Sequence, residues 1–139
     1  MNAQTRILVV DDDEIVRFSH LRVLAGTHCK VELALNGMEA LKVMERGSFD
    51  VVLLDQRMPG MDGIAVLKAI KERWPESEVI IITGYPTVEL AKEAVTLGAY
   101  DYLAKPLGPD EVINATNGAM QHKKWALRNE QSGQCAGNG

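Results

Sequence analysis

Three short runs govern what this chain can fold into: "ILVV" (Ile7 to Val10), "VVLL" (Val51 to Leu54) and "VIII" (Val79 to Ile82). Each is continuous in aliphatic, mostly β-branched residues and too short for a helix. A strand with one face in water alternates apolar and polar residues. A strand buried on both faces reads as an unbroken apolar run, and such strands belong to parallel sheets. Parallel neighbours need long crossovers, so helical periods should separate the runs. They do. "RILVV" (Arg6 to Val10) precedes a helical stretch from Glu14 to Ala25, with Ile15, Phe18, Leu21 and Leu24 at helical spacing. "KVELAL" (Lys30 to Leu35) alternates like a half-buried strand. Gly37 to Arg46 carries Ala40, Leu41 and Met44 on one face. "VVLLD" (Val51 to Asp55) leads to a helix from Gly63 to Trp74, stopped by Pro75. "EVIIIT" (Glu78 to Thr83) leads to a helix from Thr87 to Leu97, closed by Gly98, which suits the left-handed position past a helix end. "DYLA" (Asp101 to Ala104) leads to a last helix, from Pro109 to about Arg128.

Five strands alternating with five helices make an α/β domain, with a parallel sheet covered by helices on both faces. The 139 residues suit one domain, which we assign to residues 1–128. Residues 129–139, ending in "EQSGQCAGNG", have little to bury and are expected to be a disordered tail. A net charge of −4 gives no general attraction to nucleic acid or anionic membrane. No apolar stretch reaches the length of a membrane span, and the N-terminus lacks the layout of a signal peptide. Cys29 and Cys135 make neither a disulfide framework nor a metal pattern. The expected location is the cytoplasm.

In a parallel sheet every strand ends on the same edge, and ligands bind there. Strand one delivers Asp11, Asp12 and Asp13 to that edge. Strand three delivers Asp55, strand four Thr83, and strand five Lys105 followed by Pro106. Several carboxylates in one pocket repel each other unless a cation compensates them. Oxygen ligands with no cysteine or histidine beside them favour Mg²⁺. Metal and lysine for charge, a hydroxyl for one oxygen and a carboxylate nucleophile together suit a phosphoryl group. His20, His28 and His122 are scattered and form no ligand set, and Met44, Met58 and Met61 fit as gap-fillers.

The motifs "ILVVDD", "VVLLDQRMPGMDG", "IIITGY" and "YLAKPL", in that order at successive strand ends, resemble the receiver domain of two-component response regulators. The resemblance covers about residues 6 to 121, and "TVELAKEAVTLGAYDYLAKPL" looks most like receivers of nitrogen-regulatory activators. It implies a flavodoxin-like (βα)5 fold with strand order 2-1-3-4-5. It implies Asp55 as phosphoacceptor and Mg²⁺ held by Asp11, Asp12, Asp55 and the Arg57 main-chain carbonyl. Lys105 would pair with a phosphoryl oxygen. Thr83 would report the phosphoryl by a hydrogen bond, and Tyr102 would be an aromatic switch. A cis Lys105–Pro106 bond is also implied. Residues two beyond the phosphoacceptor and two beyond the threonine screen water in this family, and here both, Arg57 and Tyr85, are large. The implied partners are a sensor histidine kinase or phosphotransfer protein, and an effector read through the face of the fourth helix, fifth strand and fifth helix. No direct nucleic-acid or membrane partner is expected, and the chain should be a monomer or weak homodimer. It is not expected to be an enzyme beyond its own phosphorylation and dephosphorylation.

Three rival functions compete with this reading. In one, the same receiver is the N-terminal regulatory part of a longer transcriptional activator, with "QHKKWALRNE" opening a linker helix. A metal-dependent phosphohydrolase with an aspartyl-phosphate intermediate would want a carboxylate where Arg57 stands. A flavin carrier on this fold would want a phosphate-binding loop after strand one, where four acids, Asp11 to Glu14, would repel a phosphate.

Overall fold

A computed structural model describes residues 4–136. In chain order the elements are β1 (Thr5–Val10), α1 (Glu14–Ala25), β2 (Cys29–Ala34), α2 (Gly37–Glu45), β3 (Val51–Asp55), α3 (Gly63–Arg73), β4 (Glu78–Thr83), α4 (Val88–Thr96), β5 (Asp101–Ala104) and α5 (Pro109–Ala136). The strands form one parallel sheet in the order β2-β1-β3-β4-β5. This is the expected fold and strand order. The chain leaves β1 in one direction to build β2 and returns on the other side to build β3, β4 and β5. The order therefore reverses between β1 and β3, and a crevice opens at their C-terminal ends.

The period of two in the strands sorts the core onto two faces. Leu8, Val10, Val52, Leu54, Val79 and Ile81 face one way and pack on Ala40, Met44, Val66, Leu67, Ile70 and Ala94 of α2, α3 and α4. Ile7, Val9, Val51, Leu53, Ile80 and Ile82 face the other way and pack on Leu24, Val112 and Ala119 of α1 and α5. Both faces are dry, which is why the three runs contain no polar residue before their ends.

Four helices start on the C-terminal edge with a side-chain cap. Asp13, Asn36, Asp62 and Thr87 accept from Ile15, Glu39, Ala65 and Leu90 main-chain N–H groups. A short polar side chain there satisfies an otherwise orphaned donor and fixes the turn from strand to helix. Gly98 follows the end of α4 with φ of +97°, as its place in the sequence requires.

Two expectations change. The buried stripe of α1 is Arg17, His20 and Leu24, while Ile15 is 80% exposed and Phe18 is also largely in solvent. The helix is rolled so that Arg17 can reach back to the end of β1. The last helix also continues past Arg128 to Ala136, into residues expected to lack structure. A helix already nucleated on the sheet adds one hydrogen bond per residue at little cost, so it propagates readily. Residues 137–139 of the expected tail lie outside the described residues.

Candidate functional site

The crevice between β1 and β3 is acidic at its centre. Asp11 and Asp55 are 3% and 4% exposed, and Asp12 stands in solvent beside them. Each offers a carboxylate oxygen within 4.8 Å of the others. From across the sheet, Lys105 Nζ reaches Asp11 Oδ2 at 3.0 Å and Asp55 Oδ1 at 3.3 Å. The Lys105 N–H donates to the Thr83 carbonyl at 2.8 Å, which fixes its backbone beside β4; the Lys105–Pro106 bond is cis. Thr83 is fully buried, and its Oγ1 accepts from the Tyr85 N–H at 3.0 Å. Tyr102 is half-buried, and its hydroxyl accepts from the Thr87 N–H at 3.3 Å, at the start of α4.

The loop after β3 is held close. Gln56 N–H donates to the Ile82 carbonyl at 3.0 Å, and Gly63 N–H donates to the Gln56 carbonyl at 2.9 Å. A Cβ on Gly63 would lie 2.7 Å from both the Asp55 carbonyl and Gln56 Cα. Only glycine lets α3 begin this near the carboxylate.

The charges are not balanced. Burial, and next the Asp11 carboxylate, push the Asp55 carboxyl up from 3.8 to about 6, although Lys105 and the Arg57 main-chain N–H pull the other way. Burial alone would lower the Lys105 ammonium, but its contacts with Asp11 and Asp55 reverse that and hold it above the ordinary lysine value. A single ammonium between two carboxylates leaves the pocket negative. The donors that remain are hard oxygens, with no imidazole or thiolate among the clustered groups, and that set fits Mg²⁺.

The edge thus brings together Asp11, Asp12, Asp55, Thr83 and Lys105. Arg57 lies on the loop directly beyond Asp55, and Tyr102 stands one layer further out against α4. Asp13 caps α1 and its N–H donates to Asp11 Oδ1 at 2.9 Å, so it supports the acid pair from behind. Two residues beside the site were not anticipated. Arg17 Nη1 donates to the Asp11 carbonyl at 2.7 Å, both groups being buried. His20 is buried near Asp11 and Lys105, and burial lowers its imidazole below the ordinary histidine value. Their spacing, three apart and facing Leu24 one turn on, was the available signal.

An aspartate-centred acidic pocket with a lysine across it, at the switch point of a 2-1-3-4-5 sheet, defines a class of small signalling module rather than a hydrolase or a flavin carrier. The family model for the response regulator receiver domain matches residues 7–117. The chain belongs to that family, the phosphorylation-controlled receivers of two-component signal transduction, which is not an enzyme domain in the usual sense. It is 42% identical to the DNA-binding transcriptional regulator NtrC of Escherichia coli (strain K12) over 116 residues, covering 84% of this chain and 25% of NtrC. It is 45% identical to the transcriptional regulatory protein ZraR of the same organism over 120 residues, covering 84% and 26%. Among solved structures, NtrX from Brucella abortus matches with TM-score 0.84 and 32% identity over 94% of this chain and 29% of that one. A receiver domain protein from Methanospirillum hungatei JF-1 matches with TM-score 0.86 and 27% identity, over 89% and 99%. The chain spans about a quarter of the length of the curated relatives it matches. No helix among the described residues is long and apolar enough to cross a membrane.

Proposed function

We propose that Asp55 is the phosphoacceptor of this receiver, and that it takes a phosphoryl group from the phosphohistidine of a sensor kinase or phosphotransfer protein. The observation that carries this is the convergence of Asp55, Asp11, Asp12 and Lys105 on one edge. An Asp55 carboxylate oxygen forms the new O–P bond while the donor's N–P bond breaks, and the imidazole leaves. Asp11, Asp12, Asp55 and the Arg57 carbonyl would hold Mg²⁺, which when bound offsets charge on the phosphoryl oxygens. Lys105, already 3.3 Å from Asp55, keeps one side of the phosphoryl paired. Asp11 is held for its task by Arg17 and by the Asp13 N–H. The domain catalyses nothing except this transfer to itself and its own loss of phosphate.

Thr83 then turns its hydroxyl to a phosphoryl oxygen, and Tyr102 turns inward from Thr87. The surface of α4, β5 and α5 is where a partner reads the change. We assign residues 1–128 to the receiver unit and the cytoplasm as its location. A second reading has the receiver as the regulatory N-terminal part of a longer activator, with α5 leading onward. The fraction of NtrC and ZraR that the chain covers favours it, and a reading frame that continues past Gly139 would establish it. The primary reading is tested with acetyl phosphate as donor. Label should require Mg²⁺, be released by hydroxylamine as an acyl phosphate is, and be absent in Asp55→Asn. Label in Asp55→Asn, or label stable to hydroxylamine, defeats it.

A further inference from the structure

Arg57 and Tyr85 stand on different loops. One follows β3 and the other follows β4, so they flank Asp55 and Thr83. The Arg57 guanidinium carbon lies 4.4 Å from the centre of the Tyr85 ring. A guanidinium over an aromatic face is attracted by the ring's quadrupole and stacks well because both are flat. The stack ties the two loops together across the mouth of the site. Tyr85 has a second contact, through its main chain. Its N–H is the donor to Thr83 Oγ1 at 3.0 Å. The residue whose ring is pinned by Arg57 is thus the residue that engages the buried Thr83 hydroxyl. Gln56, Arg57, Thr83, Tyr85, Thr87 and Leu90 line an open cleft of about 300 Å³ beside the β4–α4 loop.

We propose that the Arg57–Tyr85 stack is a latch on Thr83: it holds the β4–α4 loop where the Tyr85 N–H bonds the Thr83 hydroxyl oxygen, and it must yield before the loop can carry Thr83 toward an anion on Asp55, to which the hydroxyl would donate. Arg57 and Tyr85 are positioning residues that act through Thr83. The inference rests on the reading of Asp55 as phosphoacceptor and adds what sets the threshold for its switch. It also gives the latch a natural release. A phosphoryl group on Asp55 replaces one carboxylate charge with roughly two negative charges, two residues from Arg57 in the chain. That anion competes with the Tyr85 ring for the guanidinium, because a charge-assisted hydrogen bond is stronger than a partly solvated cation–π contact.

The test uses beryllofluoride, an anion that mimics the phosphoryl group and activates the related DrrB receiver. It is titrated with Mg²⁺ into the full chain, and the Thr83 and Tyr85 amide resonances are followed. Four proteins are compared with wild type: Tyr85→Phe, Tyr85→Leu, Arg57→Met and the double Arg57→Met/Tyr85→Leu. Tyr85→Leu should bind the anion roughly two- to five-fold more tightly, the factor that an exposed cation–π contact is worth. Tyr85→Phe keeps the ring and should match wild type. In the Arg57→Met background Tyr85→Leu should change nothing further, since the contact is already gone. An equal effect of Tyr85→Leu in both backgrounds, an unchanged affinity in Tyr85→Leu, or Tyr85→Phe behaving as Tyr85→Leu overturns the latch. Failure of the wild-type chain to bind the anion defeats the phosphoacceptor reading itself, and the latch with it.

Discussion

At the scale of single residues the informative fact is that an apolar strand ends in a carboxylate that the fold holds at a cost. Asp55 is almost fully buried, sits beside Asp11, and is pushed up to about 6. A carboxyl whose folded value exceeds its unfolded value stabilises the fold only while it is protonated. In chelator, therefore, the Asp55 contribution to stability is present below about 4 and is lost as pH rises to about 6. His20 acts in the opposite sense, because burial lowers its imidazole and charging it disfavours the fold. Comparing wild type with Asp55→Asn removes the common His20 term. The metal-free variant should be the more stable protein at pH 7, and the difference should shrink toward pH 4. Thermal melts across that range check it, and a pH-independent difference contradicts it. The acidic residues, Thr83 and Lys105 were legible in the sequence because all strand ends in a parallel sheet meet on one edge. Arg17 and His20 were not. Two stripes on α1 have helical spacing, and residue type favours the one with Ile15 and Phe18. What decides is a carbonyl six residues upstream that needs a donor, which no hydrophobic period records.

Elements were read more easily than their packing. β3, β4 and β5 have the bounds that their residue types and flanking turns mark, and Gly98 closes α4 where it should. The end of α5 was illegible because Gly133, which reads as a stop in the sequence, lies inside a helix that runs on to Ala136. Two element-scale outcomes follow. Gly63→Ala puts a methyl group against main-chain atoms of Asp55 and Gln56. It should cost about 1–3 kcal/mol, as overpacking does, and also weaken Mg²⁺ binding by displacing the β3–α3 loop. A melt together with a Mg²⁺ titration reads both, and a variant with wild-type stability would show that the loop yields freely. Tyr102→Phe removes the acceptor for the Thr87 N–H, which stands 3.3 Å from the hydroxyl. The first turn of α4 should then open more often, by about 0.5–1.5 kcal/mol, seen as faster amide exchange at Val88 to Leu90 and nowhere in β4. Exchange unchanged there would mean that the tyrosine hydroxyl does not hold α4.

For the molecule as a whole, the two dry faces of the sheet supply the stability and the C-terminal edge spends part of it on clustered charge. Mg²⁺ should return that part. A ligand that binds only the native state stabilises by about 2.7 kcal/mol at a hundredfold excess over its dissociation constant. Asp12 is exposed, so Asp12→Ala should fold normally yet lose most of the Mg²⁺-induced rise in melting temperature. A full rise in that variant would remove Asp12 from the metal site. A switch from mostly resting to mostly active needs about 5.5 kcal/mol of differential stabilisation. A few charge-assisted hydrogen bonds from Lys105, Thr83 and nearby main-chain donors to a phosphoryl group, at about 1.5–3 kcal/mol each, are sufficient. All of this hangs on which side chain carries the phosphate. The decisive measurement is to incubate the wild-type chain with acetyl phosphate and Mg²⁺, reduce with borohydride, which turns an aspartyl phosphate into homoserine, and map the product by peptide mass spectrometry. Homoserine at position 55 and at no other aspartate is the required result; modification at Asp11, Asp12 or any other residue, with Asp55 intact, would contradict it.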